Sequence, residues 1–588
     1  MKANKFFLGL ALIGAILTGC EKDPEQTGNY DTTSYMSVSI AQAGGTRATT
    51  DGGFIDGTGN EILINVIDFY FYDENGAPFS FTAANMGEGN TPYSSNLYTY
   101  KTDSSIPTKD KVDSPNNIDE VTDATLVINH NKGNIPTYMI AVINSTTKYD
   151  NKNLAEVKKA VVSANGVNSD GTHIMTNSVY KGAEGYKGAD NTRLVMETPI
   201  AVENLAITAE KAEAAPVRIY VERTAARVSF DVKKANGTPV VDVTKVPVKD
   251  DDNKNYSLKY ADGTSVDVYA KIEGWNIVTY AKEGTLAKTI DPSWADDKFT
   301  GFDWNQAALY RSYWAQATKE DADLVKEFTW NGLKGNGNGN GNAIGSVDYC
   351  LENTTALPNA NSLLVEADGS TSEDLDITRT NVTKAVIAAT LVNNAGNALN
   401  IYNWFGSNYK TEEELLTAVA QSLRNKLVLN GTPIAASDIR LVENVNANMK
   451  EVKVGETYIS EQYSYEVYFD LKTTGEWKDP EGNVVNASDI LKDIRNAKVW
   501  KDGMAYYIVN IEHLGNNTDD YKEGYYGIVR NHAYEITFSG IKGLGTPVYS
   551  ATTEYPEPVT PDFTDSYVAA EINILSWHLV QQDVILGQ

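Results

Sequence analysis

The chain has few cysteines, few histidines and a deficit of positive charge. Its 588 residues include two cysteines, five histidines, and 78 acidic against 50 basic side chains, a formal charge of −28. Two cysteines cannot supply a disulfide framework, so stability must come from core burial and strand pairing. A chain this acidic is not expected to bind nucleic acid, because that binding depends on cationic contacts to phosphate.

Motifs for metal binding or catalysis are also missing. The histidines do not pair at metal-ligand spacing; they are His130, His173, His513, His532 and His578. There is no His-Glu-x-x-His and no Gly-x-Ser-x-Gly, and the loop 335–342 lacks the Gly-Lys-Ser/Thr ending of a phosphate loop. The sequence therefore predicts no metal, no cofactor and no enzyme. A surface hydrolase is the enzymatic alternative, and no constellation supports it.

Long apolar runs are absent after the first twenty residues. Lys2 and Lys5 precede an apolar run at 6–17, which is too short to span a bilayer, and Leu17-Thr18-Gly19 leads to Cys20. This is the pattern of a secretory signal peptide. A cysteine at that position resembles a bacterial lipoprotein signal. We therefore expect residues 1–19 to be removed, and Cys20 to carry lipid that tethers the precursor to a membrane.

Residues 20–47 are predicted to be a propeptide with one displaceable strand. Tyr35–Ile40 reads as a strand, with Met36, Val38 and Ile40 as its apolar stripe. Arg47-Ala48 follows in a glycine-rich segment, where proteolysis is favoured. We predict cleavage between Arg47 and Ala48. The alternatives are an ordinary loop arginine, and a permanent edge strand or disordered tether.

The composition predicts a mostly-β chain. There are 34 tyrosines, 45 glycines and many β-branched residues, which suit pleated surfaces and the turns between them. We place an N-terminal domain at 48–213 and a C-terminal domain with insertions at 214–553, because a fresh strand opens at Pro216 and runs to Phe230. Thr411–Lys426 is the clearest helix, with Thr411 and Glu414 as a capping box.

The final segment, 554–588, is predicted to be a stiff polar linker followed by an apolar strand run. Its apolar residues change phase along the chain, which one continuous strand cannot accommodate, so we expect a bulge or break near Leu575. The apolar residues of the run are Ile572, Ile574, Leu575, Trp577, Leu579, Val584 and Leu586. Trp577 is the expected anchor, because large aromatics dominate interface energetics. The alternative is a permanent C-terminal strand of the same domain.

Several motifs in this order resemble one family. They are the lipobox ending in Cys20, the strand 35–40, the cut site Arg47-Ala48, and the segments 221–228, 349–354, 529–538, 543–547 and 572–577. The chain resembles the fimbrillins of Bacteroidales, the major subunits of type V pili, and among them the shaft subunits of minor fimbria. The resemblance implies two transthyretin-like β-sandwich domains in tandem with a few short helices.

The resemblance also implies a mechanism. The precursor would reach the outer membrane as a lipoprotein, and an arginine-specific protease would remove the tether and the first strand. The C-terminal segment of another copy would fill the resulting groove, with the seven apolar residues between Ile572 and Leu586 as the candidate donor residues. Head-to-tail repetition would build a cell-surface fimbrium. Its expected partners are copies of itself, anchor and tip subunits, and host or bacterial receptors. The alternatives are a monomeric tethered lipoprotein that binds glycan or protein, and a tip or anchor subunit.

Overall fold

The fold is known from a computed structural model. It describes residues 31–43, 55, 57–81, 96–101, 118–131, 134–162, 164–182, 194–250, 252–291, 294, 304–316, 324–325, 327–335, 341–354, 364–365, 371–372, 382–443, 450–454, 457–461, 466–494, 496–513, 526–555, 569–571, 574–576 and 578–586.

The first part of the chain builds an eight-stranded sheet. The strands up to residue 223 are β1 Asp31–Ala43, β2 Val66–Tyr72, β3 Leu97–Lys101, β4 Ile118–Asn131, β5 Tyr138–Ile143, β6 Val161–Val162, β7 Met175–Asn177, β8 Tyr180–Lys181, β9 Leu194–Val195, β10 Thr198–Pro199 and β11 Val217–Arg223. The sheet order is β3-β2-β5-β7-β11-β1-β4, with β10 on β5. Helices α1 Leu154–Lys158 and α2 Ala209–Glu213 belong to the same part.

Alternation along these strands buries both faces of the first sheet. Phe69 and Phe71 of β2 join one core with Met139 of β5, whereas Tyr70 and Tyr72 join a second core on the other face. That second core includes residues from 281 to 351. The later part of the chain therefore covers one face of the first sheet.

The middle of the chain contributes strands to a second sheet. The strands between residues 225 and 392 are β12 Ala225–Val232, β13 Lys234–Ala235, β14 Thr238–Pro239, β15 Val246–Lys249, β16 Ser257–Lys259, β17 Ser265–Asp267, β18 Tyr269–Val278, β19 Tyr280–Ala281, β20 Gly284–Thr285, β21 Asn305–Gln306, β22 Arg311–Ser312, β23 Leu324–Val325, β24 Phe328–Thr329, β25 Val347–Leu351, β26 Leu364–Val365, β27 Thr371–Ser372 and β28 Lys384–Val392.

Residues 401–500 form a separate five-stranded sheet with its own core. The strands of this stretch are β29 Ile401–Trp404, β30 Ser407–Tyr409, β31 Val428–Leu429, β32 Thr432–Pro433, β33 Ile439–Glu443, β34 Lys450–Val454, β35 Thr457–Glu461, β36 Glu466–Leu471 and β37 Ala497–Trp500. Helices α3 Glu412–Leu423 and α4 Ala487–Lys492 supply buried leucines to this core. The predicted capping box of α3, Thr411 with Glu414, is present.

The last strands complete the second sheet, except for β41, which pairs with β24. They are β38 Met504–Asn510, β39 His532–Lys542, β40 Thr546–Pro547, β41 Glu554–Tyr555, β42 Ala569–Glu571, β43 Ile574–Ser576 and β44 His578–Leu586. The order is β23-β19-β25-β12-β39-β15-β18-β28-β38-β40, with β43 and β44 attached at β39 and β42 attached at β44. Side chains of β12, β28 and β38 lie in one core.

The mostly-β fold class with β-sandwich layers and a few short helices is confirmed. The single strand predicted from Pro216 to Phe230 is wrong. β11 ends at Arg223 in the first sheet, and β12 begins at Ala225 in the second. Thr224 connects the two strands and so links the two sheets, and its buried amide donates a hydrogen bond to the carbonyl of Ile174. The domain division near 213 stays a prediction.

Candidate assembly site

The first strand lies between two others, and both of its edges are paired. Residues 38–42 of β1 pair in parallel with residues 217–221 of β11. Residues 31–43 pair antiparallel with residues 118–131 of β4. Because buried backbone groups require partners, removing β1 would leave two strands with unpaired edges.

Two of the three predicted stripe residues of β1 lie in the core. Met36 and Val38 are both 0% exposed and belong to the core cluster that contains Leu126 of β4 and Ile219 of β11. Ile40 continues the strand, and its backbone pairs with Ile219. The side chain of Ile40 is outside the part that the structure describes. Burial of Met36 and Val38 makes β1 part of the hydrophobic core as well as of the sheet.

We call the place that β1 occupies between β11 and β4 its seat. β11 forms one wall of this seat, and its two faces contact different parts of the chain. Val217, Ile219 and Val221 point into the core, as the alternation of the sequence requires. On the opposite face, the ring of Tyr220 stacks on Tyr310, with centroids 3.5 Å apart and planes 6° from parallel. Tyr310 comes from the later part of the chain. The β11 wall is therefore braced by residues outside the first sheet.

A buried polar junction lies just behind the seat, where the two sheets meet. The carboxylate of Glu61 accepts a hydrogen bond from the Tyr349 hydroxyl at 2.7 Å and lies 3.2 Å from Arg227 Nε. Burial opposes ionisation of this group, yet the Tyr349 hydroxyl and Arg227 hold the pKa of Glu61 below its usual value. Arg223 Nε donates to the Glu61 carbonyl at 2.7 Å. Gly57 fits here because a Cβ would lie 2.4 Å from Arg223 Nη2.

Two buried ion pairs reinforce the junction. Lys288 Nζ lies 2.8 Å from Glu222 of β11 and donates to the Ser312 carbonyl at 2.9 Å. Burial lowers the pKa of the Lys288 ammonium, and the Glu222 carboxylate opposes that shift. Arg530 pairs with Glu352 at 3.2 Å. Breaking a buried pair is strongly destabilising, because one charge is left without its partner. The first pair ties β11 to the segment around Lys288, and the second joins residues that flank β25 and β39.

The C-terminal strands lie on the other sheet. Residues 578–586 of β44 pair in parallel with residues 532–541 of β39, and β43 and β42 pair antiparallel with β44. The chain reverses between Ser576 and His578, close to the break predicted at Leu575. In the intact chain the tail is thus paired with its own second sheet.

Five of the seven candidate donor residues lie in strands, and the other two lie outside the residues that the structure describes. Ile574 and Leu575 lie in β43, whereas Leu579, Val584 and Leu586 lie in β44. Ile572 and Trp577 lie outside the described residues, as do Cys20, Arg47 and Ala48. The structure therefore places the pro-strand and the tail strands on different sheets and does not bring them together within one chain.

Sequence reasoning missed the second wall of the seat, β4. Its buried residues Ala124, Leu126 and Ile128 alternate with Thr125 and Val127. That period of two is a strand signal. The apolar Val127 on the outer face, 36% exposed, weakens the contrast between the faces. The alternation could have predicted a strand there, but not its partner.

Neither metal centres nor membrane helices were found where the structure gives positions. In the described ranges, no three His, Cys, Asp or Glu side chains are grouped to hold a metal ion. Within those same ranges, no helix combines the length and apolarity needed to cross a bilayer.

Solved structures similar to this chain include fimbrial proteins. A fimbrilin from Porphyromonas gingivalis W83 is 14% identical, with 94% of this chain and 98% of that chain covered and a TM-score of 0.33. A fimbrial assembly protein from Parabacteroides distasonis is 11% identical, with 59% and 84% covered and a TM-score of 0.24. The tip fimbrial protein Mfa3 from Porphyromonas gingivalis is 7% identical, with 61% and 78% covered and a TM-score of 0.26. No curated protein matches the chain.

A family model matches the C-terminal part of the chain. Residues 498–583 match the model described as major fimbrial subunit protein type IV, Fimbrillin, C-terminal. The matched region contains β38 and β39 and most of the tail strands, including the motif at 529–538 that carried the resemblance in the sequence. This C-terminal region is therefore similar to that of fimbrillins, and the resemblance predicted from the motifs of the sequence is confirmed.

Proposed function

We propose that this chain is a shaft subunit of a cell-surface fimbrium that polymerises by donor-strand exchange. It is exported as a lipoprotein through Cys20, cleaved between Arg47 and Ala48, and joined head to tail with copies of itself. The single observation that carries the proposal is the position of β1. A strand within the predicted propeptide occupies an interior place in the first sheet, with Met36 and Val38 fully buried.

Excision of β1 creates the need for a replacement strand. Burial of Met36 and Val38 contributes roughly 1.5–3 kcal/mol each. The backbone groups that faced β1 on β11 and β4 also lose their partners, at a cost of about 1–3 kcal/mol for each buried group that stays unsatisfied. A strand from another molecule restores both terms, which is β-augmentation.

The seat of β1 offers the tail two strand partners from the body of another subunit. On its own sheet, β44 pairs with β39 and, within the tail, with β42 and β43. The seat of β1 offers a neighbour on each side, β11 and β4. Transfer of the tail to another subunit therefore replaces pairing to one strand of its own body with pairing to two strands of another molecule. Because the contact is head to tail and does not close, repetition gives a filament.

The tail is connected by a segment long enough for transfer. Glu554 and Tyr555 still belong to the body of the chain, since β41 pairs with β24 and Tyr555 is buried. The segment 556–568 then precedes β42. Its thirteen residues can reach up to about 43 Å when extended. The body should remain folded when the tail leaves it.

The same proposal covers activity, location and partners. The family is structural, so we assign no enzymatic activity, and the fimbrium lies at the cell surface. Its partners are other fimbrial subunits, namely copies of itself along the shaft and anchor and tip subunits at the ends. In this proposal the filament supports adhesion to host or bacterial surfaces.

One observation favours the alternative of a monomeric tethered lipoprotein. β44 is paired with β39 of its own chain. If that pairing is permanent, the tail is an internal strand and the protein stays anchored through Cys20 as a binder of glycan or protein.

A complementation experiment tests the proposal against this alternative. The precursor is produced from Glu21 onward and treated with trypsin or an arginine-specific protease. An Arg47→Ala variant keeps β1 and can only donate its tail. A variant ending at Tyr555 can only accept a tail after cleavage. We expect SDS-resistant ladders from the cleaved wild type, and monomers from each variant alone.

The mixture of the two variants gives the sharper result. The Arg47→Ala chain and the cleaved chain ending at Tyr555 should form one-to-one dimers and nothing longer, since each supplies one half of the joint. Stable monomers from the cleaved wild type, with no dimers in the mixture, would overturn the proposal and favour the tethered binder.

A further inference from the structure

The edge strand β4 depends on the strand that cleavage removes. Its fourteen residues, 118–131, form the end of the first sheet. It pairs with β1 over nearly its whole length, and no other strand among the described residues pairs with it. Without β1, β4 has no sheet hydrogen bonds to hold it in place.

The buried side chains of β4 share a core with those of β1. Ala124, Leu126 and Ile128 are buried in the same core as Met36 and Val38. Leu126 lies directly opposite Met36, and Ala124 opposite Val38. Excision of β1 therefore takes away the cross-strand contacts of β4 together with its backbone pairing.

Once β1 has left, β4 has no described strand of the first sheet within hydrogen-bonding distance. Neighbouring strands lie about 4.8 Å apart, so β11 and β4 are separated by roughly 10 Å across β1. β11 is fixed by the Tyr220–Tyr310 stack and by the Lys288–Glu222 pair. Because β11 is fixed, any closure of the gap would have to be made by β4 alone.

We propose that β4 is a movable wall of the acceptor, and that it becomes ordered only when a strand fills the seat. This rests on the proposed function, because the occupant is the C-terminal segment of a second copy of this chain. The occupant runs in the direction of β1, parallel to β11 and antiparallel to β4. β44 already pairs in parallel with β39, the same mode in which β1 pairs with β11.

The consequence is that each joint in the filament is formed by two strands of the acceptor, one fixed and one recruited. A free cleaved subunit lacks the second wall, so capture of a tail is coupled to the folding of β4. Until cleavage, β1 holds β4 in place. This protects a long edge that would otherwise be open to uncontrolled pairing.

Hydrogen exchange tests the proposal in three states of the protein: the precursor, the cleaved chain ending at Tyr555, and the filament. We expect amides of β4 to be protected in the precursor, to exchange on the order of 100-fold faster in the cleaved chain, and to be protected again in the filament. Amides of β2 and β5, in the middle of the same sheet, serve as the internal control and should stay protected in all three states.

A peptide supplied in trans separates this inference from the proposed function. A synthetic peptide of residues 31–43 should restore protection of β4 in the cleaved chain, whether or not filaments form. Loss of protection that the peptide restores in the chain ending at Tyr555, together with a cleaved full-length chain that never polymerises, would support the movable wall and sink the polymerisation scheme. Full protection of β4 in the cleaved chain without any peptide would overturn the inference. Loss of protection that the peptide fails to restore would also overturn it.

Discussion

Truncation of the two buried residues of β1 should destabilise the precursor but leave the filament unaffected. Met36 and Val38 are fully buried in the core of the first sheet. Met36→Ala is expected to cost about 2–5 kcal/mol, because a buried methionine leaves a cavity. Val38→Ala removes two methyl groups, at about 0.8 kcal/mol each before any cavity is counted. The double variant should therefore lose roughly 4–7 kcal/mol.

A loss of this size is a large share of the stability of an ordinary domain. Urea denaturation of the soluble precursor measures it, and Ser39→Ala, a half-buried position on the same strand, is the matched control. After cleavage the variants should give filaments as heat-resistant as the wild type, because residues 36 and 38 have left with the propeptide. A double variant as stable as the wild-type precursor, or filaments weakened by these substitutions, would refute the role given to β1.

Three further outcomes follow from the geometry. Glu222→Gln should lower the free energy of unfolding by about 3–5 kcal/mol, because it leaves the buried ammonium of Lys288 without its partner. Adding Lys288→Met should recover most of this loss, and a double-mutant cycle in urea denaturation measures both effects. Burial raises the pKa of Glu512 to about 7, so the folded state binds that proton more tightly than the unfolded state does. The stability that this proton supplies is lost as the pH rises from 4.5 to 7. Glu512→Gln should therefore unfold like the wild type at pH 4 but be more stable at pH 8, by about 3 kcal/mol at most, and an unchanged difference across this range would contradict the assignment. Thr411→Ala should destabilise α3 by about 1 kcal/mol in thermal denaturation, whereas the exposed Thr417→Ala on the same helix should not.

Local signals in the sequence predicted local structure well. The helix at 411–426 was predicted from its capping box and from a stripe that includes Leu415, Val419 and Leu423, and α3 has that cap and buries those residues. Capping and helical periodicity act within a few residues, so they can be read directly from the chain.

Sheet pairing was much harder to predict, because it depends on distant residues. β1 pairs with residues near 125 and near 219, and nothing in the strand itself names those partners. The passage at Thr224 was missed for the same reason. Residues 216–230 read as one strand, but the partners of its two halves lie in different sheets.

The polar junction behind the seat gives no sequence signal of its own. Glu61, Arg227 and Tyr349 are far apart in the chain and meet only in the folded protein. In a chain with 78 acidic residues, a single glutamate that becomes buried cannot be singled out. The stripe of β1 was recognisable because an apolar strand before a candidate cut site is unusual within a propeptide.

A disulfide that pins β1 to β4 tests the central claim most directly. Ser39 lies opposite Asp123 in the antiparallel pair, and opposed residues in such pairs have Cα atoms about 4.5–5.5 Å apart, within the range of a disulfide. The precursor carrying Ser39→Cys and Asp123→Cys is oxidised, cleaved and assayed for SDS-resistant ladders, with each single variant as a control. We expect the oxidised chain to be cut after Arg47 and to stay monomeric, and ladders to appear once it is reduced. Ladders formed equally well before reduction would show that β1 need not leave for subunits to join.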